Sequence, residues 1–169
     1  MTNRAKALLL SIAAVAILVI GFLGWYRIHF SMAPAEAFSV NDASSGRRLL
    51  IATQGSAFKN AVVTGIVERL RQRPIFIQVV DVGALSGVNA GDWDAIVVLH
   101  TIEYGDAPPV AQAFVDRLAD TGKIVVLSTS GRGDFRMKGI DAISSASRMT
   151  DVPARVDEIV ERIDGVLTR

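Results

Sequence analysis

The sequence predicts an α/β chain, with a parallel β-sheet covered by helices on both faces and one apolar helix before it. Two observations carry this. Short runs that are apolar at every position alternate with amphipathic helical segments. Strands read as unbroken apolar runs when both faces of their sheet are buried, and alternation of strand and helix builds such a sheet. Separately, residues 7–26 hold no charge at all.

That first segment, ALLLSIAAVAILVIGFLGWY, covers about 30 Å as a helix, the hydrocarbon thickness of a bilayer. Trp25 and Tyr26 close it with rings suited to an interface. Ala33-Pro34-Ala35 and Ala35-Glu36-Ala37 have the small-x-small form of a cleavage site. The apolar run exceeds the roughly 7–15 residues of a signal core, so an uncleaved transmembrane anchor is expected over residues 1–30. Arg4, Lys6 and the amino terminus precede the span and only Arg27 closely follows it. The positive-inside bias then predicts a cytoplasmic N-terminus and an extracytoplasmic soluble domain.

Residues 31–46, SMAPAEAFSVNDASSG, are Ala/Ser-rich with a Pro and no periodicity, which predicts a flexible tether. The domain proper is expected over 47–169. LLIAT (49–53) is its first strand. In SAFKNAVVTGIVERLRQR, Phe58, Val62, Ile66 and Leu70 recur at i+4, an amphipathic helix stopped by Pro74. IFIQVVDV (75–82) and AIVVL (95–99) read as the next strands. Pro108 and Pro109 suit the first turn of a helix that buries Val110, Phe114 and Leu118. KIVVLS (123–128) is a fourth strand and residues 139–144 a fifth. A last helix carries Val152, Val156, Ile159, Ile163 and Val166 on one stripe.

Composition narrows the chemistry. The chain has no Cys, which removes disulfides, thiolate catalysis and Cys-metal sites. The anchor holds three of the 18 basic residues and none of the 17 acidic ones, leaving a net −2 beyond it and no basic patch for nucleic acid. The two His residues, His29 and His100, have no metal-ligand spacing, so no metal site is expected. No Gly-x-Ser-x-Gly elbow accompanies His100, and no catalytic residue is assigned. A strand-end His of this kind reads as a buried structural residue.

In sheets of this class ligands sit outside the carboxyl ends of the strands. Three segments that follow strands directly are expected to meet there. TQGSAFKN (53–60) enters a helix, whose first N–H groups, with Ser56 and Lys59, make an anion site; an ordinary helix start capped by Ser56 is the plain alternative. HTIEYGD (100–106) offers Tyr104 as a ring face for a flat ligand, or as packing over a helix. STSGRGDF (128–135) offers hydroxyls and exposed N–H groups for a polar heterocycle edge, or is a solvated connection.

With these residues in view, the chain from about Arg47 to Arg169 resembles flavodoxin, the FMN-binding electron carrier. LLIATQGSAFKNAVVTGIVERL is similar to its first strand, phosphate loop and first helix. LHTIEYGDAPPVAQAFVDRL resembles its second flavin loop. The Tyr-Gly pair there is also similar to that of menaquinone-dependent protoporphyrinogen oxidases, and GRGD (131–134) matches the third loop. The resemblance implies a five-stranded parallel sheet in the order 2-1-3-4-5. It also implies FMN, with Gln54, Gly55, Ser56, Lys59 and Asn60 at the phosphate, Thr101, Tyr104 and Gly105 along one face of the isoalloxazine, and Ser130, Gly131, Gly133 and Asp134 at its pyrimidine edge. The sequence departs from the family where Ala57, Phe58 and Lys59 follow Ser56, leaving one hydroxyl inside the phosphate motif. Electron transfer through FMN beside a membrane redox complex is the expected function. A cofactor-free docking or assembly subunit of a membrane complex is the alternative, and an FMN-dependent reductase a third reading.

Overall fold

A computed structural model describes residues 3–30, 33–44 and 46–169. The chain divides into two units, Met1–Met32 and Ala33–Arg169. The first is a single helix, α1 (Asn3–Phe30), within which Arg4–Trp25 is long and apolar enough to cross a membrane.

The second unit is built on strands β1 (Ala33–Pro34), β2 (Phe38–Val40), β3 (Arg47–Gly55), β4 (Ile75–Asp81), β5 (Ala95–Thr101), β6 (Ile124–Thr129) and β7 (Ala142–Ser145). Helices α2 (Ala57–Leu70), α3 (Pro109–Asp116) and α4 (Val152–Leu167) connect and close it. Six strands lie in the order β2-β4-β3-β5-β6-β7. The five from β4 to β7 are parallel and match the expected 2-1-3-4-5 order.

Both faces of that sheet are covered, which is why its strands are apolar throughout. Leu49, Ile51, Val97, Leu99 and Leu127 pack under α2 and α4, against Phe58, Val62, Ile66, Val156 and Ile159. Leu50, Ala52, Ile96, Val98 and Val126 face the other way, toward Phe114 of α3, and toward Leu85 and Trp93. Each of these side chains is at least nine-tenths buried, worth about 1.5–3 kcal/mol apiece for the larger ones. No α-helix joins β4 to β5. Two 3-10 turns, Val82–Gly87 and Ala90–Asp92, make that crossover, and they supply Leu85 as the apolar plug a helix would otherwise provide.

The structure corrects two expectations. Residues 33–44 are not a flexible tether: β2 runs antiparallel along β4, with Phe38 opposite Val79 and Val40 opposite Ile77. Asn41, in the left-handed conformation, then donates from Nδ2 to the carbonyls of Arg73 and Ile75 and pins the turn that follows. The edge of β4 offers unpaired backbone groups, and a three-residue strand satisfies them. Residues 31, 32 and 45 of the expected tether lie outside the described residues. The second correction is small: the fifth parallel strand is 142–145 rather than 139–144, because Gly139 has a positive φ and turns the chain before it.

Candidate functional site

β3 runs two residues past its ladder pairing. Its pairing with β4 ends at Thr53–Asp81 and with β5 at Thr53–Leu99, so Gln54 and Gly55 project beyond the ladder. One side of this overhang is taken by β1, where Ala33 pairs with Gly55 and Pro34 with Gln54. Asp81 at the end of β4 completes that side by accepting from Ala35 N–H at 2.9 Å. On the other side Gln54 Oε1 accepts from Thr101 N–H at 2.7 Å, replacing the ladder bond that β5 would otherwise lack. Ser56 follows at once as the N-cap of α2, its Oγ accepting from Lys59 N–H. The plain alternative for Ser56 is thus the one adopted.

Lys59 turns inward. Its side chain lies on the buried stripe with Val63, Ile66 and Leu70, is 1% exposed, and its ammonium donates to Thr101 Oγ1 at 2.7 Å. Burial pushes its pKa down from 10.5 to about 8, against the attraction of Glu103, which raises it. From Thr101 the bonding has one direction. The Thr129 hydroxyl donates to His100 O, so the 3.1 Å contact between Thr101 Oγ1 and Thr129 Oγ1 is a bond that Thr101 donates.

His100 is fully buried beneath this chain. Its Nδ1 faces Thr101 O at 3.3 Å, and its Nε2 lies 2.9 Å from Ser128 Oγ, which also accepts from Met137 N–H. A neutral ring with the proton on Nδ1, accepting from the Ser128 hydroxyl, satisfies every partner. Burial lowers its pKa to about 4; the bond to Thr101 opposes this and the Lys59 charge adds to it. With Ser128 fully buried, the pair anchors the segment after β6 to the end of β5, as expected for a structural His.

The second and third loops form the outer part of the same rim. Glu103 and Asp106 exchange both backbone bonds, Glu103 N to Asp106 O at 2.9 Å and Asp106 N to Glu103 O at 3.1 Å. Between them Tyr104 and Gly105 have φ of 53° and 91°, a two-residue type I′ turn. Tyr104 stands at its tip, 91% exposed. In the third loop Ser130 N donates to Ser145 O, and Ser130 Oγ accepts from Gly133 N–H. Gly133, at φ 76°, sits so close to the exit of β7 that a Cβ would lie 2.6 Å from Ala146 N. Asp134 pairs with Arg132, Asp106 of the turn pairs with Lys138, and Gly131 is exposed.

All twelve residues singled out from the sequence therefore lie at the carboxyl ends of β3, β5 and β6, but they form two parts. Gln54, Lys59 and Thr101 are bonded together under the rim. Tyr104, Gly105, Gly131 and Asp134 are exposed above it, while Ser130 and Gly133 tie the third loop to β7. Asn60 opens instead on a cleft of about 140 Å³ that it shares with Glu36, Phe38 and Thr53. Sequence reasoning placed Thr53, Ser128 and Thr129 within the converging segments but gave none of them a role of its own. The register was the available signal: the apolar runs of β5 and β6 both end in polar pairs, which lie side by side as His100–Ser128 and Thr101–Thr129.

A flavin mononucleotide needs an anion cradle at one end and a flat slot at the other. The ring end is open. The phosphate end fits poorly: Ser56 Oγ already accepts from its own helix and keeps only its proton to offer, and the buried Thr53 hydroxyl donates to Gln54 O. Gly55 is covered by β1, and the Lys59 ammonium is turned inward onto Thr101.

No protein-family model matches the sequence, and no curated protein matches it. Solved structures do. A flavo di-iron protein from Thermotoga maritima superposes with a TM-score of 0.50 at 12% identity, over 75% of this chain and 37% of that one. A second variant of the same protein gives 0.50 at 13% identity with the same coverage. A flavodoxin from the domain Archaea gives 0.48 at 14%, over 70% of this chain and 98% of that one. The likeness to the di-iron protein shows the fold alone: an α/β fold with a mostly parallel sheet, similar to flavodoxin-like folds.

Proposed function

We propose that this chain is a membrane-anchored flavodoxin-like domain that works as a docking or assembly subunit of a membrane complex and holds no flavin. The observation that carries this reading is the closed phosphate end, where Gln54, Lys59 and Thr101 bond to one another across the space between β3 and β5. An incoming phosphate would have to break those bonds or strip β1 from Gly55, and of the loop's hydroxyls only that of Ser56 keeps a proton to donate in return. The anchor half of the reading rests on the length and composition of Arg4–Trp25. Titration of the purified full chain with FMN tests the cofactor half: the flavin's fluorescence stays unquenched to about 100 μM, and quenching in the micromolar range defeats it.

A second reading, an FMN electron carrier, is favoured by the upper part of the rim. Tyr104 is exposed beside Gly105, and a Cβ built at Gly131 would meet nothing within 4 Å, which leaves these two loops room for a flat ring. In that reading the chain's own residues would bind and orient the flavin, and the flavin would supply the redox chemistry.

A further inference from the structure

The large apolar side chains that the described part of the domain leaves exposed are Phe38, Tyr104, Phe135 and Met149. All four lie toward one end of the sheet. Tyr104 follows β5, Phe135 follows β6 and Met149 follows β7, while Phe38 pairs with Val79 two residues before β4 ends. Around the first three stand Arg132, Arg136, Lys138 and Arg148, with Asp134 and Asp106 neutralising two of them.

Tyr104 is held there against local preference. Both central positions of a type I′ turn need positive φ, which suits Asn, Asp or Gly and strains a bulky residue. A strained residue whose ring is almost wholly in solvent points to a use for that ring.

The covalent connection indicates what the rim meets. β1 fastens Ala33 to Gly55 at this same end of the sheet. Only residues 31 and 32 separate it from the last residue of the apolar helix, Phe30. Three peptide links reach at most about 11 Å, and five helical residues from Trp25 to Phe30 add about 8 Å. The attachment point of the rim thus stays within about 20 Å of the end of the apolar stretch.

We propose that the carboxyl rim of the sheet docks on the lipid headgroup layer, with Tyr104, Phe135 and Met149 entering it. This rests on the reading of α1 as a membrane anchor. Two of the four cations are paired, and the three apolar side chains give the contact a part that persists in about 0.5 M salt, where screening acts within a few Å. Aromatic rings flanked by Arg and Lys suit that layer.

The absence of Cys allows single labels. The full chain is reconstituted in phosphatidylcholine vesicles carrying a lipid-borne quencher, with a fluorophore at Leu18→Cys, Gly131→Cys or Asp92→Cys. The expected result is quenching at 18 and 131 and none at 92, with the quenching at 131 abolished by Tyr104→Ser plus Phe135→Ser while that at 18 persists. Quenching at 18 with 131 no more affected than 92 overturns rim docking and leaves the anchor intact. No quenching at 18 overturns the anchor, and the inference with it.

Discussion

Replacing Lys59 by Met should invert the stability order of the two proteins as pH rises. The ammonium is 1% exposed and its folded pKa is about 8 against 10.5 when free. Below pH 8 both states carry the charge, and the folded state bears its desolvation. At about 1.4 kcal/mol per pKa unit the shift amounts to about 3 kcal/mol. Between pH 8 and 10.5 the unfolded chain binds more protons than the folded one, so wild-type stability rises with pH by up to about 1.4 kcal/mol per unit. Met fills the same space without that cost but loses the bond to Thr101, about 1 kcal/mol. The variant should be about 2 kcal/mol more stable at pH 7 and about 1 kcal/mol less stable above pH 10.5. Urea unfolding of residues 33–169 reads this through Trp93, the fragment's sole tryptophan and nine-tenths buried. A wild-type stability flat from pH 8 to 10.5, or a Met variant weaker at pH 7, would refute the buried-cation account.

Other consequences follow from the same geometry. The pKa of His100 falls from 6.5 to about 4 on folding, so its contribution is complete above pH 6.5 and is lost as pH falls toward 4. His100→Gln should flatten the acid limb by up to about 1.4 kcal/mol per pH unit relative to wild type; parallel limbs would contradict the neutral ring. Gly133→Ala combines a positive φ with a 2.6 Å approach to backbone and should cost about 2 kcal/mol or more in urea unfolding. Tyr104→Asn should raise stability by about 0.5–1 kcal/mol, because Asn suits the type I′ position; a loss would show that the ring is held by packing. A fragment starting at Gly46 lacks β1 and β2, exposes the β4 edge, and should be less stable and more aggregation-prone in light scattering than one starting at Ala33.

The parallel sheet was legible because strands buried on both faces announce themselves as unbroken apolar runs, and the helices because their stripes are clean. β2 was not, since Phe38-Ser39-Val40 is too short for a pattern to stand out in an Ala/Ser-rich stretch. Its pairing is decided by the open edge of β4, which no local window contains. The convergence of the three loops could be read from strand order. The direction of Lys59 was readable in principle, because positions 59, 63, 66 and 70 share one helical stripe. A charged residue there is judged to face solvent unless a hydroxyl such as that of Thr101 is known to be within reach, and that depends on the register of β5 against β3.

Whether the bonded group under the rim shuts out a phosphate is tested most directly by equilibrium titration of the full chain with FMN, beside the Lys59→Met and Gln54→Ala variants. The account predicts unquenched flavin with the wild type to about 100 μM. Saturable quenching by the wild type at micromolar FMN, abolished by Lys59→Met, would contradict it and establish Lys59 as a phosphate ligand.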